Sequence, residues 1–187
     1  MPNSSNIPDP ALGPAALHAP WRQTYVETAD AQHVAGPSTG SFLLDYWLSP
    51  ALDLRNHVVA RTPVGLILLN RFPYTGGHLL VALGDARPCL SDYSAGQRAA
   101  LWQLVDSAAD LIEKTLSPQG INIGVNQGRA AGAGVPQHLH VHLVPRWSGD
   151  VNFMSAVAQV RVLPTSLESM ASRYRETWNR THAQKAP

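Results

Sequence analysis

Apolar runs broken by turn chemistry occupy the middle of the chain, and their lengths separate strands from helices. Residues 57–61 read as a short strand stopped by Thr62-Pro63, and residues 64–69 are apolar throughout, as in a strand covered on both faces. Asn70-Arg71-Phe72-Pro73-Tyr74-Thr75-Gly76-Gly77 is turn chemistry, and residues 78–83 form the next strand, giving a hairpin with an elaborate connection. From Ser94 to about Leu116 the period becomes helical. Leu101, Leu104, Val105, Ala108, Leu111, Ile112 and Leu116 fall on one stripe, with Ser91 or Ser94 as N-cap and Pro118 past the end. Residues 120–126 form a strand, Gly128 to Gly134 a glycine-alanine loop, and His138 to Val144 a final strand. A second amphipathic helix is expected near residues 165–179, with Leu167, Met170, Ala171, Tyr174 and Trp178 on its apolar face. Strands with helices between and after them predict an α+β sheet with helices on one side.

The remaining segments and the composition bound this picture. Residues 1–18 are rich in Pro, Ala, Ser and Asn and read as a flexible leader, with order expected from Ala19-Pro20-Trp21-Arg22 to about residue 180 and residues 181–187 as a tail. A length of 187 residues suits one domain. A hydrophobic content of 44% with 14% charged residues describes a globular chain, and a net charge of +1 gives no bulk field favouring nucleic acid or an acidic membrane. With one cysteine, Cys89, intramolecular disulfides and cysteine-based zinc sites are excluded, and Cys89 reads as a packing residue. No signal-peptide pattern or membrane-length apolar run is present, so a cytoplasmic protein is expected.

The chemistry concentrates in Gln137-His138-Leu139-His140-Val141-His142-Leu143-Val144-Pro145-Arg146-Trp147. In a strand, His138, His140 and His142 share one face and Leu139, Val141 and Leu143 the other. Packing alone does not explain three in-phase imidazoles, because buried imidazoles need partners. A hydrogen-bonded or solvated face, a metal site, and nucleotidyl chemistry with an imidazole nucleophile all remain open. The preceding loop, Asn126 to Pro136, favours the last, since its small residues let main-chain N–H groups approach an anion.

His138-Leu139-His140-Val141-His142-Leu143-Val144 resembles the His-φ-His-φ-His-φφ signature of the histidine triad (HIT) superfamily. Leu69 to Val81 resembles its second block, with Asn70 and His78 eight residues apart. Ala19 to Arg22 and Pro145 to Phe153 resemble flanks of the bacterial branch related to diadenosine tetraphosphate phosphorylases and hydrolases. The likeness runs from residue 19 to about 180. It implies an α+β, five-stranded antiparallel sheet with one long helix and a C-terminal helix packed on it, in a homodimer. It implies that His140 attacks the α-phosphate of a nucleoside polyphosphate, forming a nucleotidyl-histidine, with His138 and His142 flanking it and His142 helping the leaving group. Asn70 would bind the ribose, His78 would support the triad, and Asn126, Gln127 and backbone groups of Ala133, Gly134, Val135 and Pro136 would hold the phosphates. No tightly bound cofactor or metal is expected, and Mg2+ would arrive with the substrate. A nucleoside phosphoramidase and a nucleotide-binding protein without turnover are the alternative functions.

The pattern also departs from the family. Many bacterial relatives carry a Cys-x-x-Cys zinc site where this chain reads Gly40-Ser41-Phe42-Leu43-Leu44, with a later histidine near Ala86; here apolar packing by Phe42, Leu43 and Leu44 is expected instead. Ala133-Gly134 stands where some relatives have a serine, and Gln137 where an acidic residue is common. His18, His33 and His182 read as solvated and His57 as structural. Trp147 either closes over the site or packs against a partner subunit, and Arg146 reads as a surface residue that could reach a phosphate.

Overall fold

The computed structural model describes residues 39–150 and 165–183. The leader, the Ala19 to Arg22 flank, His18, His33 and Val151 to Phe153 lie outside these residues. Five strands form one sheet in the order β1-β2-β3-β5-β4: β1 Val58–Arg61, β2 Gly65–Leu69, β3 Leu79–Leu83, β4 Gly120–Val125 and β5 Val141–Arg146. Every neighbouring pair is antiparallel, and β2 and β3 keep register from Gly65 opposite Leu83 to Leu69 opposite Leu79. The hairpin with a long connection is therefore present.

The two long helices cover one face of the sheet. The first described helix, α1 (Phe42–Leu48), lies elsewhere and is taken up below; α2 spans Ala95–Leu116 and α3 Leu167–Ala183. A capping box starts α2: Ser94 Oγ accepts the Gln97 N–H and Gln97 Oε1 accepts the Ser94 N–H. Its buried residues are Leu101, Leu104, Val105, Ala108, Leu111 and Ile112, the stripe that the helical period predicts. Against them and Met170, Ala171 and Tyr174 of α3 pack Ile67, Leu69, Leu79, Val81, Val141 and Leu143 of the sheet. Each such aliphatic side chain stabilises the fold by roughly 1.5–3 kcal/mol on burial. α3 runs three residues into the expected tail. Thr181 Oγ1 donates to the Thr177 or Trp178 carbonyl, and the His182 ring stacks on Trp178 at 3.7 Å, closing the last turn.

The opposite face corrects the expectation of helices on one side only. Here α1 places Leu43 against Val58, Leu66, Leu68, Leu80 and Ala82, a second apolar cluster. Arg61 anchors the far end of this helix, donating to the Trp47 and Tyr46 carbonyls and to both carboxylate oxygens of Asp53. Among the described residues no helix is long and apolar enough to cross a membrane.

A second correction concerns the histidine strand, which begins at Val141 and not at His138. Continuing the β3–β5 register would bring the Leu83 carbonyl to the backbone near Leu139. The His138 ring takes that carbonyl instead, and the Leu139 N–H goes to the Arg87 carbonyl. A side chain thus competes with the ladder and ends it.

Candidate active site

Three hydrogen bonds assign the ring protons of the first two triad histidines. His138 is fully buried, with Nε2 2.8 Å from the Leu83 carbonyl and Nδ1 3.0 Å from Ser41 Oγ. A carbonyl only accepts, so Nε2 carries the proton and Nδ1 accepts from the serine. His140 is 5% exposed and its Nδ1 lies 2.9 Å from the His138 carbonyl, which places its proton on Nδ1 and a lone pair on Nε2. Among the described residues the sealed polar atoms lacking a partner are His57 Nδ1 and Thr115 Oγ1. His140 Nε2, which no group among the described residues engages, is therefore not sealed and is the part of this ring open to a ligand. Burial holds both His138 and His140 below the ordinary imidazole value, so the neutral forms dominate near pH 7.

A second set of bonds runs through the connection between β2 and β3. The Phe72 N–H donates to Asn70 Oδ1 at 3.0 Å, which leaves Asn70 Nδ2–H to donate to His78 Nδ1 at 3.3 Å. The Tyr74 N–H reaches the same nitrogen at 3.2 Å. His78 Nε2 therefore carries the proton and donates to His142 Nδ1 at 3.0 Å, so His142 keeps its proton on Nε2. The His140 and His142 ring centroids are 4.9 Å apart. The site thus pairs a lone pair on one imidazole with an N–H on the next.

Asn70 and His78, expected on the ribose and in support, both serve this chain of hydrogen bonds. Tyr74 was not singled out from the sequence. Its ring lies 4.9 Å from His78 and, nearly parallel, 6.0 Å from His142, covering the relay. Its position four residues before His78 carried no signal by itself. Ser41, equally unanticipated, is 1% exposed against His138.

The glycine-alanine loop uses part of its main chain internally. The Ala131 and Ala133 N–H groups both donate to the Gly128 carbonyl at 3.2 Å, and Gly132 donates to Arg129 at 2.9 Å. That removes the Ala133 N–H from the expected phosphate donors, and Pro136 has none to offer. The Gly134 and Val135 N–H groups engage no acceptor among the described residues, and the His138 N–H to Val135 carbonyl bond of 3.1 Å folds this part of the loop back on the triad. Gln127 Oε1 accepts the Leu90 N–H at 2.9 Å, bracing the loop against the segment after β3, while Asn126 is half-buried beside Gly132.

The other candidates fall outside this cluster. Arg146 donates to both carboxylate oxygens of Asp150 and to Asn122 Oδ1, and the Arg146 hydrogen bond lowers the Asp150 carboxyl to about 2. Its guanidinium is accounted for without a phosphate. With both His138 nitrogens engaged, the three imidazoles do not present a metal with three free donors, and no other group of three His, Cys, Asp or Glu among the described residues could hold one.

Residues 52–149 match the HIT domain family. The chain is 31% identical over 164 residues to an AP-4-A phosphorylase of Mycobacterium tuberculosis, covering 88% of this chain and 84% of that protein. It is 36% identical over 95 residues to an asymmetrical bis(5'-nucleosyl)-tetraphosphatase of Schizosaccharomyces pombe, covering 51% of this chain and 52% of the relative. Among solved structures, a Zn-bound histidine triad family protein from Mycobacterium smegmatis superimposes with a TM-score of 0.60 at 24% identity, covering 75% of this chain and 96% of that one. The C. elegans NitFhit protein gives 0.54 at 28% identity over 65% of this chain and 27% of that one.

Proposed function

The chain belongs to the HIT domain family, and from that premise we propose that it is a dinucleoside polyphosphate hydrolase or phosphorylase acting through a nucleotidyl-histidine. The observation that carries this reading is the Nδ1–H bond from His140 to the His138 carbonyl, which leaves a nucleophilic lone pair on Nε2. Nε2 attacks the α-phosphate. A P–N bond forms, the bond from phosphorus to the bridging oxygen breaks, and the shortened polyphosphate departs. That leaving group is stable as an anion near pH 7, so the His142 Nε2–H need only hydrogen-bond the departing oxygen. The Gly134 and Val135 amides stabilise charge on the transferring phosphoryl group. Water or inorganic phosphate then attacks the same phosphorus and frees His140.

The experiment is a product analysis with diadenosine tetraphosphate. ATP plus AMP marks hydrolysis by water, ATP plus ADP in the presence of phosphate marks phosphorolysis, and an adenosine phosphoramidate substrate tests the phosphoramidase alternative. His140→Ala is expected to abolish turnover while keeping nucleotide affinity within a few-fold by isothermal titration. Near-normal turnover in that variant would overturn the assignment.

We read the working unit as a homodimer. Supporting this, β4 is an edge strand, and Ile123 on it, like Trp102 on α2, is 45% exposed.

A further inference from the structure

The bonds that orient His140 begin outside the histidine segment, at the first turn of α1. Ser41 Oγ is both donor and acceptor. It donates to His138 Nδ1 at 3.0 Å, because the proton on that ring is committed to the Leu83 carbonyl, and it accepts the Leu44 N–H at 3.3 Å as the N-cap of α1. One residue away, Gln137 Nε2 donates to the Gly40 carbonyl. Two adjacent ties between positions 97 residues apart therefore fasten the start of α1 to the segment that carries the nucleophile. The carbonyl that fixes the His140 tautomer belongs to His138, whose ring Ser41 holds.

We propose that Ser41 is a positioning residue for nucleotidyl transfer: through His138 its hydroxyl keeps the acceptor of the His140 Nδ1–H in place, and so keeps the lone pair on Nε2. Without the hydroxyl, His138 Nδ1 is a buried acceptor with no donor. The ring is then held only by its bond to the Leu83 carbonyl, and the main-chain segment that carries the His138 carbonyl loses its Ser41 tie to the start of α1. His140 loses the bond that selects its tautomer, and a fraction of molecules moves the proton to Nε2, where it blocks attack. The inference rests on His140 being the nucleophile.

The test compares Ser41→Ala, Ser41→Thr and Ser94→Ala in the full-length chain. Ser94→Ala removes an N-cap from α2, away from the site, and matches the loss of helix capping. Ser41→Ala is expected to lower kcat on the order of tenfold with KM within about twofold, while Ser41→Thr restores kcat and Ser94→Ala leaves it unchanged. Imidazole 15N spectra supply a readout independent of activity. The unaltered protein is expected to show His138 protonated on Nε2 and His140 on Nδ1, and Ser41→Ala to show mixed protonation at His140. The proposal is overturned by a His138 proton on Nδ1 in the unaltered protein, by a Ser41→Ala kcat no lower than that of Ser94→Ala, or by failure of Ser41→Thr to restore it. Should Ser41→Ala not fold, the spectrum of the unaltered protein and the kcat of Ser41→Thr decide. If instead His140→Ala keeps its turnover, the parent reading fails while the tautomers remain measurable, so the two failures are distinct.

Discussion

At the scale of the residue, His138 and His140 are neutral because burial penalises the imidazolium, and His57, just before β1, shares this condition. All three pKa values lie below the ordinary 6.5 in the folded protein and return to it on unfolding. Below pH 6.5 the unfolded chain binds protons that the folded chain refuses, so stability falls as pH falls; well above 6.5 these groups contribute no slope. The limit is about 1.4 kcal/mol per pH unit for each histidine. Thermal melts without ligand are therefore expected to show a falling Tm from pH 7 to pH 5 and a plateau above pH 7.5, and a flat profile would refute neutral burial. The rate follows the same sign. Only unprotonated His140 attacks, so the acid limb of kcat/KM is expected to have its half-point below pH 6.5.

At the scale of the element, the β2–β3 connection carries Asn70 and His78, and two long-range anchors and one bond across its own ends set its shape. The Thr75 hydroxyl donates to the Pro145 carbonyl at 2.8 Å, the Asn70 N–H donates to the His78 carbonyl at 2.9 Å, and the buried Tyr174 hydroxyl donates to the Gly77 carbonyl at 2.8 Å. Tyr174→Phe leaves that carbonyl without its partner and is expected to lower the unfolding free energy by about 1–3 kcal/mol in urea titrations. Gly77→Ala is expected to lower it further. Gly77 has φ +86°, and a Cβ there would lie 2.4 Å from Leu116 Cδ1 and 2.8 Å from Tyr174 Oη. An unchanged urea midpoint in both variants would contradict this account of the loop. The strands and α2 were legible in the sequence because apolar run length and helical period report burial directly, as Leu101 to Ile112 illustrate. α1 was not. Seven residues, Phe-Leu-Leu-Asp-Tyr-Trp-Leu, are too few to display a period, and the capping serine is committed to a partner 97 positions away. The start of β5 was hidden for a similar reason: alternation cannot reveal that the ring of His138 takes the carbonyl a ladder would have used. In the loop, composition raised the expectation of an anion nest but could not tell which amides the turn would keep for itself.

At the scale of the molecule, the homodimer proposed above would pair along the β4 margin. Ile123 shares a face with Ile121 and Val125, which pack on the main core, yet it remains 45% exposed. Ile123→Lys is expected to shift the assembly from two chains to one in sedimentation velocity; an unaltered dimer would place the interface elsewhere. The two margins of the sheet differ. Along β1 the pairing register shifts between Val58 and Ala60, and the Arg175 side chain occupies the outward Val58 carbonyl at 2.8 Å. Along β4 all six residues run in unbroken register with β5 from Gly120 to Val125. One rim is stoppered by a guanidinium and a kink, and the other is straight, so two copies joined along their straight rims, as proposed, would present only stoppered ones and leave growth into a fibre no next step.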